Sequence, residues 1–289
     1  VTDPKNKLNK RLKRIENALN SIANVLKNNS NHDSLIIPDG PAAVYEAATQ
    51  QLYPIDEVAA VDIDLLRGID ATKRILIANT ERFANGFAAN NALLWGARGM
   101  GKSSLVKAVH RNLIQKDGAL LTLIEIHRED IQDLPLLLRT LAQSDRRFLL
   151  FCDDLSFTDA DKDFKALKSV LEGGIEGRPK NVLFYATANR RHLLPRDMAQ
   201  NEVSTAINPG ETVDETVALS DRFGLWLGFY PCDQETWLAM VEGYMKAYDI
   251  RKDSWRADAL EWSRTRGSRS GRVAWQYIQD LAGTLGKSL

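Results

Sequence analysis

The run Gly96-Ala97-Arg98-Gly99-Met100-Gly101-Lys102-Ser103 matches the pattern G-x-x-x-x-G-K-[ST] at every fixed position, and Ser104 follows it. Few eight-residue patterns restrict a fold as much, because this one works only between a buried strand and a helix. Both flanks are present. The apolar Ala92-Leu93-Leu94-Trp95 precedes the loop, and Ser104-Leu105-Val106-Lys107-Ala108-Val109 reads as helix. Glycines at this spacing let backbone N–H groups turn toward a phosphate, and the following helix points its positive dipole end at the same anion. Lys102 then reaches the β- and γ-phosphates while the Ser103 hydroxyl is placed to ligate Mg²⁺. The whole stretch from Gly96 to Ser104, including Ala97, Arg98 and Met100, is a candidate phosphate cradle.

A chain of 289 residues with 44% hydrophobic content can bury a substantial core and suits two domains better than one. No apolar run approaches the roughly 18 residues of a membrane span, and the basic N-terminus has no apolar segment of the secretory kind, so a cytoplasmic chain with no membrane partner is expected. Cys152 and Cys232 stand far apart with no metal-ligand spacing around them, which suggests neither a disulfide framework nor a zinc site. Lys plus Arg equals Asp plus Glu at 38 each. No global field therefore draws the chain to nucleic acid, although local patches remain open.

One such patch is Lys5, Lys7, Lys10, Arg11, Lys13 and Arg14, inside a segment where Leu8, Leu12, Ile15, Leu19, Ile22 and Leu26 alternate at spacings of four and three. That is an a/d seam on one helix face, suited either to a short coiled coil or to an amphipathic helix laid on the chain's own body. A polar linker, residues 28–34, follows. Pro41 to Gln51 reads as a short helix, and Ile69 through Phe83 as a second, with Ile75, Leu76, Asn79 and Phe83 at helical spacing. Beyond the glycine loop, Leu120–Ile126, Phe148–Cys152, Asn181–Ala186 and Leu225–Phe229 read as buried strands, with a helix over Leu134–Leu141. Strands separated by helices imply parallel pairing and an α/β layer fold, with polar strand ends gathered on the ligand side. Met198 to Leu219 reads as a long loop. From Asp233 onward the pattern is helical: Trp237, Val241, Tyr244 and Tyr248 form one stripe, and helices over Ser254–Arg264 and Gly271–Leu285 follow.

The strand Phe148–Cys152 runs into Asp153-Asp154 about 50 residues beyond the loop. Asp153 suits Mg²⁺, a hard cation that prefers oxygen, and Asp154 is placed to orient or deprotonate an attacking water. Adjacent acids after a strand also serve as helix N-caps. His110, His127 and His192 form no constellation with a nucleophile.

In these residues and their order the chain resembles the AAA+ superfamily of P-loop ATPases, from about Leu66 to Gly283. Leu66-Arg67-Gly68-Ile69-Asp70 resembles the family's segment bordering the adenine, and Phe148 to Asp154 its Walker B strand. Asn189 matches the sensor-1 position, Ser220-Asp221-Arg222-Phe223 resembles the arginine-finger motif, and Gly267-Ser268-Arg269-Ser270-Gly271-Arg272 resembles sensor 2. The wording of Trp95 to Leu105, Asn189 to Pro195 and Ser220 to Gly224 is similar to a bacterial AAA+ branch catalogued as a domain of unknown function. The resemblance implies a three-layer α/β P-loop NTPase with a parallel sheet, a C-terminal helical lid and the N-terminal amphipathic helix before it. The expected domains are residues 1–34 for that helix and linker, 35–231 for the nucleotide-binding domain and 232–289 for the lid.

What the resemblance implies chemically is hydrolysis of ATP with Mg²⁺. Lys102, Asp154 and Asn189 would act within one subunit, Ser103 and Asp153 would hold the metal, and Arg272, or Arg269 in its place, would reach the phosphates from the lid. Arg222 would act in trans, so a homo-oligomer is implied, working on a protein or nucleic-acid client. Each arginine also suits a solvent-exposed surface role, and Asn189 a turn. The chain departs from most hydrolytic relatives in carrying Asp154 where they have glutamate, one methylene longer, which opens an alternative: an ATP-binding assembly switch with slow turnover. The basic N-terminal segment motivates a DNA-associated loader or remodeller. A small-molecule P-loop kinase is the competing class, weakened by the arginine after Walker B and by the separate C-terminal helices.

Overall fold

A computed structural model describes residues 35–118, 120–156, 166–168, 170–171, 178–189 and 222–289. The seam from Leu8 to Leu26 and the loop expected over 198–219 lie outside these residues. In chain order the elements are β1 (Ala42–Glu46), β2 (Gln51–Ile55), a 3-10 turn (Ile63–Leu65), α1 (Asp70–Ala84), β3 (Ala92–Gly96), α2 (Lys102–Asp117) and β4 (Leu121–Ile126). A 3-10 segment (Arg128–Asp133), α3 (Leu134–Ala142), β5 (Arg147–Cys152), β6 (Val182–Ala188) and β7 (Leu225–Phe229) follow, then α4 (Gln234–Ala247), α5 (Trp255–Thr265) and α6 (Gly271–Thr284).

The strands form one seven-stranded sheet in the order β2-β1-β4-β5-β6-β3-β7. Every described pair is parallel except β1 with β2. The expected strands are found because each is a short apolar run, the central ones buried on both sides: Leu93, Leu94, Leu149, Leu150 and Leu183 are all fully covered. From β3 the chain crosses to β4, and from β4 it steps back to β5. Right-handed crossovers in opposite directions put α2 and α3 on opposite faces, which makes the layers three.

The helix expected over Pro41 to Gln51 is a correction: this stretch is β1, a turn and the first residue of β2. Its alanines favour a helix locally, but pairing with β4 overrides that preference. Ala42, Ala43 and Tyr45 are buried there, and the Pro41 carbonyl accepts from the Leu123 amide at 2.9 Å. Gln50 turns the hairpin in the left-handed region at φ 51°, its amide donating to the Ala47 carbonyl at 3.2 Å. Pro54 lies on the outermost strand, where a missing N–H breaks no ladder.

Helix α1 also turns differently from its expected stripe. Ile75 is 45% exposed, and the buried face is Leu76, Asn79, Thr80 and Phe83. The two polar members meet β6: Asn79 Nδ2 donates to the Tyr185 hydroxyl at 2.9 Å, and the Thr80 and Tyr185 hydroxyls are 2.9 Å apart. Burial pushes the Tyr185 phenol up to about 12, so it remains a neutral partner.

Helices α4, α5 and α6 pack on one another around Trp237, Val241, Ala259 and Ile278. Asp233 caps α4, accepting from the Thr236 amide at 2.7 Å, and Ser270 caps α6, accepting from the Val273 amide at 3.3 Å. Such caps satisfy donors that a helix start leaves open. The Trp237 indole donates to the Ser270 carbonyl at 3.1 Å, so the start of α6 is fixed from two directions. No helix among the described residues is long and apolar enough to cross a membrane. Both cysteines are free; burial pushes the Cys152 thiol up to about 12 and leaves it unreactive.

Candidate nucleotide site

The strand order decides what meets at the ligand edge of the sheet. β6 lies between β5 and β3, so the segments leaving these three strands emerge side by side at their carboxyl ends. The glycine loop leaves β3 with Gly96 at φ 128°, and a Cβ there would stand 2.0 Å from the Phe229 carbonyl oxygen. Only glycine fits, and the same carbonyl accepts the Ala97 amide at 2.8 Å. Gly99 and Gly101 also have positive φ, at 73° and 87°, before Lys102 opens α2. The first N–H groups of α2 therefore face the loop's concavity without helical acceptors.

Lys102 is buried, and its ammonium donates to the carbonyls of Gly96 and Ala97 at 3.0 Å each and to Asn189 Oδ1 at 3.2 Å. Burial lowers its pKa; Asp153 and Asp154 oppose that shift, and Arg98 and Arg272 reinforce it. Ser103 Oγ donates to Asp153 Oδ1 at 2.6 Å, across fifty residues of sequence. Asp154 adopts φ 53°, left-handed for a non-glycine residue, and its carboxylate accepts from Asn189 Nδ2. Asn189 thus links the lysine to the second acid.

These groups line one cleft of about 630 Å³ together with Arg98, Gly99, Gly101, Ser104 and Arg272. Three cations against two carboxylates suit a polyanion accompanied by a metal. Val61, Leu66, Tyr244 and Trp275 also line it, apolar and aromatic enough to cover a planar base. Of the segment Leu66 to Asp70, Leu66 lines the cleft. Gly68, at φ 77°, lets the segment lie on α4, where a Cβ would meet Thr236 Cγ2 at 2.4 Å.

Of the two arginines weighed for sensor 2, Arg272 lines the cleft, and its amide donates to the Gly99 carbonyl at 3.1 Å. Arg269 points elsewhere, donating to Gln234 Oε1 at 3.3 Å. Arg222 is exposed and is not brought to this cleft. It precedes β7, whereas Gly96 pairs with Phe229 at the far end of that strand; five strand residues alone span about 16 Å.

Four contributors escaped the sequence reading: Thr187, Trp275, Val61 and Tyr244, the last read only as part of a helical stripe. Thr187 Oγ1 donates to Asp153 Oδ1 at 2.5 Å and accepts the Asp154 amide at 2.9 Å, holding both acids. The signal was a hydroxyl in an otherwise apolar strand, two residues before Asn189 and so on the same strand face. Trp275 stands three residues after Arg272 on α6, hence beside it. Val61 carried no signal in the sequence.

No curated protein matches the chain in sequence. Among solved structures, the RuvB Holliday junction branch migration motor of Thermotoga maritima is 16% identical with a TM-score of 0.50, covering 78% of this chain and 66% of that one. The Aeropyrum pernix ORC1 protein, solved in complex with DNA, is 15% identical with a TM-score of 0.52, covering 74% and 61%. Domain III of the T. maritima replication initiation protein DnaA is 14% identical with a TM-score of 0.50, covering 79% and 91%. The chain thus spans just under two thirds of the first two, and at such identities the likeness concerns the fold, which is the AAA+ P-loop type. A family model described as "Protein of unknown function (DUF815)" matches residues 39–285, and the chain belongs to that family.

Proposed function

We propose that this chain binds ATP with Mg²⁺ in the cleft and hydrolyses it to ADP and phosphate, using the change to move its helical lid. The observation that carries the reading is the Ser103–Asp153 contact of 2.6 Å, which joins the start of α2 to the end of β5 beside the buried Lys102. Both oxygens are of the kind Mg²⁺ prefers, and the glycine cradle around them tolerates no Cβ at Gly96. Bound there, the metal would neutralise phosphate charge. Lys102 would exchange its carbonyl acceptors for β- and γ-phosphate oxygens, and the backbone N–H groups of the loop and α2 would receive the rest. Asp154, steered by Asn189 and by the Thr187 hydroxyl, would orient the attacking water and take its proton. Arg272 would reach the phosphates from the lid, residues 232–289, and report their presence to it.

Arg222 lies at the wrong rim of the sheet for its own cleft, which supports a role in trans on a neighbour's γ-phosphate within a homo-oligomer. The arrangement of Asp154 favours a second reading. Aspartate reaches about one methylene less far than glutamate, and a 1 Å misplacement costs on the order of 10²-fold in rate. ATP binding would then operate an assembly switch that slow hydrolysis resets. A DNA client is motivated by the basic stretch Lys5 to Arg14, and a steep salt dependence of DNA binding that vanishes on removing residues 1–34 is its test.

Steady-state phosphate release from ATP, measured over a range of protein concentrations for wild type, Asp154→Ala and Arg222→Ala, tests the main reading. Rising specific activity with concentration, lost in both variants, is expected. Equal inactivity of all three with nucleotide-driven assembly retained favours the switch; neither activity nor assembly removes both readings.

A further inference from the structure

A second cavity, about 520 Å³, lies behind the phosphate loop against the turn between α5 and α6. Ala97, Met100 and Pro231 supply apolar wall, and three arginines, Arg98, Arg264 and Arg269, line it as well. No carboxylate among the described residues lines it. The acids at the start of α4 are committed elsewhere: Asp233 caps the helix through the Thr236 amide, and Glu235 pairs with Arg256 at 2.6 Å. Arg269 reaches only a neutral amide, Gln234 Oε1, at 3.3 Å. Among the described residues Arg98 and Arg264 have no carboxylate partner. The same thin wall separates this cavity from the nucleotide cleft: Gly99 packs on Ser270, a Cβ there standing 2.9 Å from the Ser270 hydroxyl, and Arg98 lines both spaces.

Guanidinium forks pair with oxyanions through parallel hydrogen bonds, and a cavity of this size suits a small molecule. A polymer anion would call for an extended basic surface rather than a cavity of this size. We infer that this cavity is a second anion site, which takes a small ligand carrying a phosphate or carboxylate group beside an apolar portion. Its position on the outer face of the loop places the ligand between the loop and the α5–α6 turn, bracing one against the other. The site does not depend on what the larger cleft binds.

The test is calorimetric titration of pyrophosphate, and separately of succinate, into the full chain carrying Lys102→Ala, which weakens the nucleotide cleft. One bound pyrophosphate or succinate per chain is expected, with the tighter probe naming the class. Adding Arg264→Ala and Arg269→Ala to that chain weakens binding at least about tenfold, since hydrogen bonds to charged groups are lost. Replacing both arginines by lysine instead, which preserves charge but removes the fork, gives an intermediate loss and guards against misfolding. No binding of either probe at millimolar concentration overturns the proposal, as does binding that the double alanine variant leaves unchanged. Failure of wild type to bind nucleotide, with pyrophosphate binding intact in Lys102→Ala, defeats the ATP reading alone.

Discussion

Thr187 holds both acids of the site without being an acid itself, so its removal separates positioning from charge. Thr187→Val keeps shape but deletes the hydroxyl that Asp153 and the Asp154 amide share. The Mg²⁺ concentration for half-maximal nucleotide binding is expected to rise about tenfold, the loss usual for a partner of a metal ligand, with Thr187→Ser close to wild type. An unchanged Mg²⁺ dependence in Thr187→Val contradicts the role. His110 makes a different demand. Its Nε2 lies 3.0 Å from the Leu121 carbonyl, and Nδ1 is buried with no hydrogen-bond partner. Protonation would bury an unpaired N–H as well as a charge, and burial lowers the pKa to about 4. A folded pKa below the unfolded value of about 6.5 means stability is fully present above that pH and is lost as pH falls toward 4, by about 3 kcal/mol. Urea unfolding at pH 7 and pH 4.5 checks this: His110→Gln should lose less between the two than wild type, and equal losses count against it.

At the scale of elements, the β1–β2 hairpin is the part that depends most on distant partners. Arg146 fastens its entry, donating to the Pro38 carbonyl at 2.8 Å, the Gly40 carbonyl at 3.2 Å and Thr122 Oγ1 at 2.6 Å. Arg146→Ala is expected to cost about 1–2 kcal/mol and to speed amide exchange in β1 ahead of β3; uniform exchange across both strands would contradict it. This dependence is why the hairpin was illegible in the sequence. Its alanines give a helical preference, and only the edge of β4, remote in sequence, reverses it. The strands β3, β5 and β6 were legible because burial on both faces writes itself as a continuous apolar run. In the cleft, Lys102, Ser103 and Asp153 were readable from spacing. Thr187 and Trp275 were not, because their roles arise when β6 and α6 are set beside the loop.

For the whole molecule, the distance between Arg222 and its own cleft carries the assembly claim. Mixing Asp154→Asn, which retains the arginine, with Arg222→Ala, which retains the acid, should restore phosphate release above the sum of the two alone. Strictly additive rates would argue against shared sites. Beneath that claim is the more basic one, that the cleft between the sheet and α6 takes ATP with its metal. Calorimetric titration of a non-hydrolysable ATP analogue with Mg²⁺ into wild type and Lys102→Ala addresses it most directly. One site per chain is predicted in wild type, at least about tenfold weaker in the variant; a flat titration of wild type, or equal binding by both proteins, would contradict it.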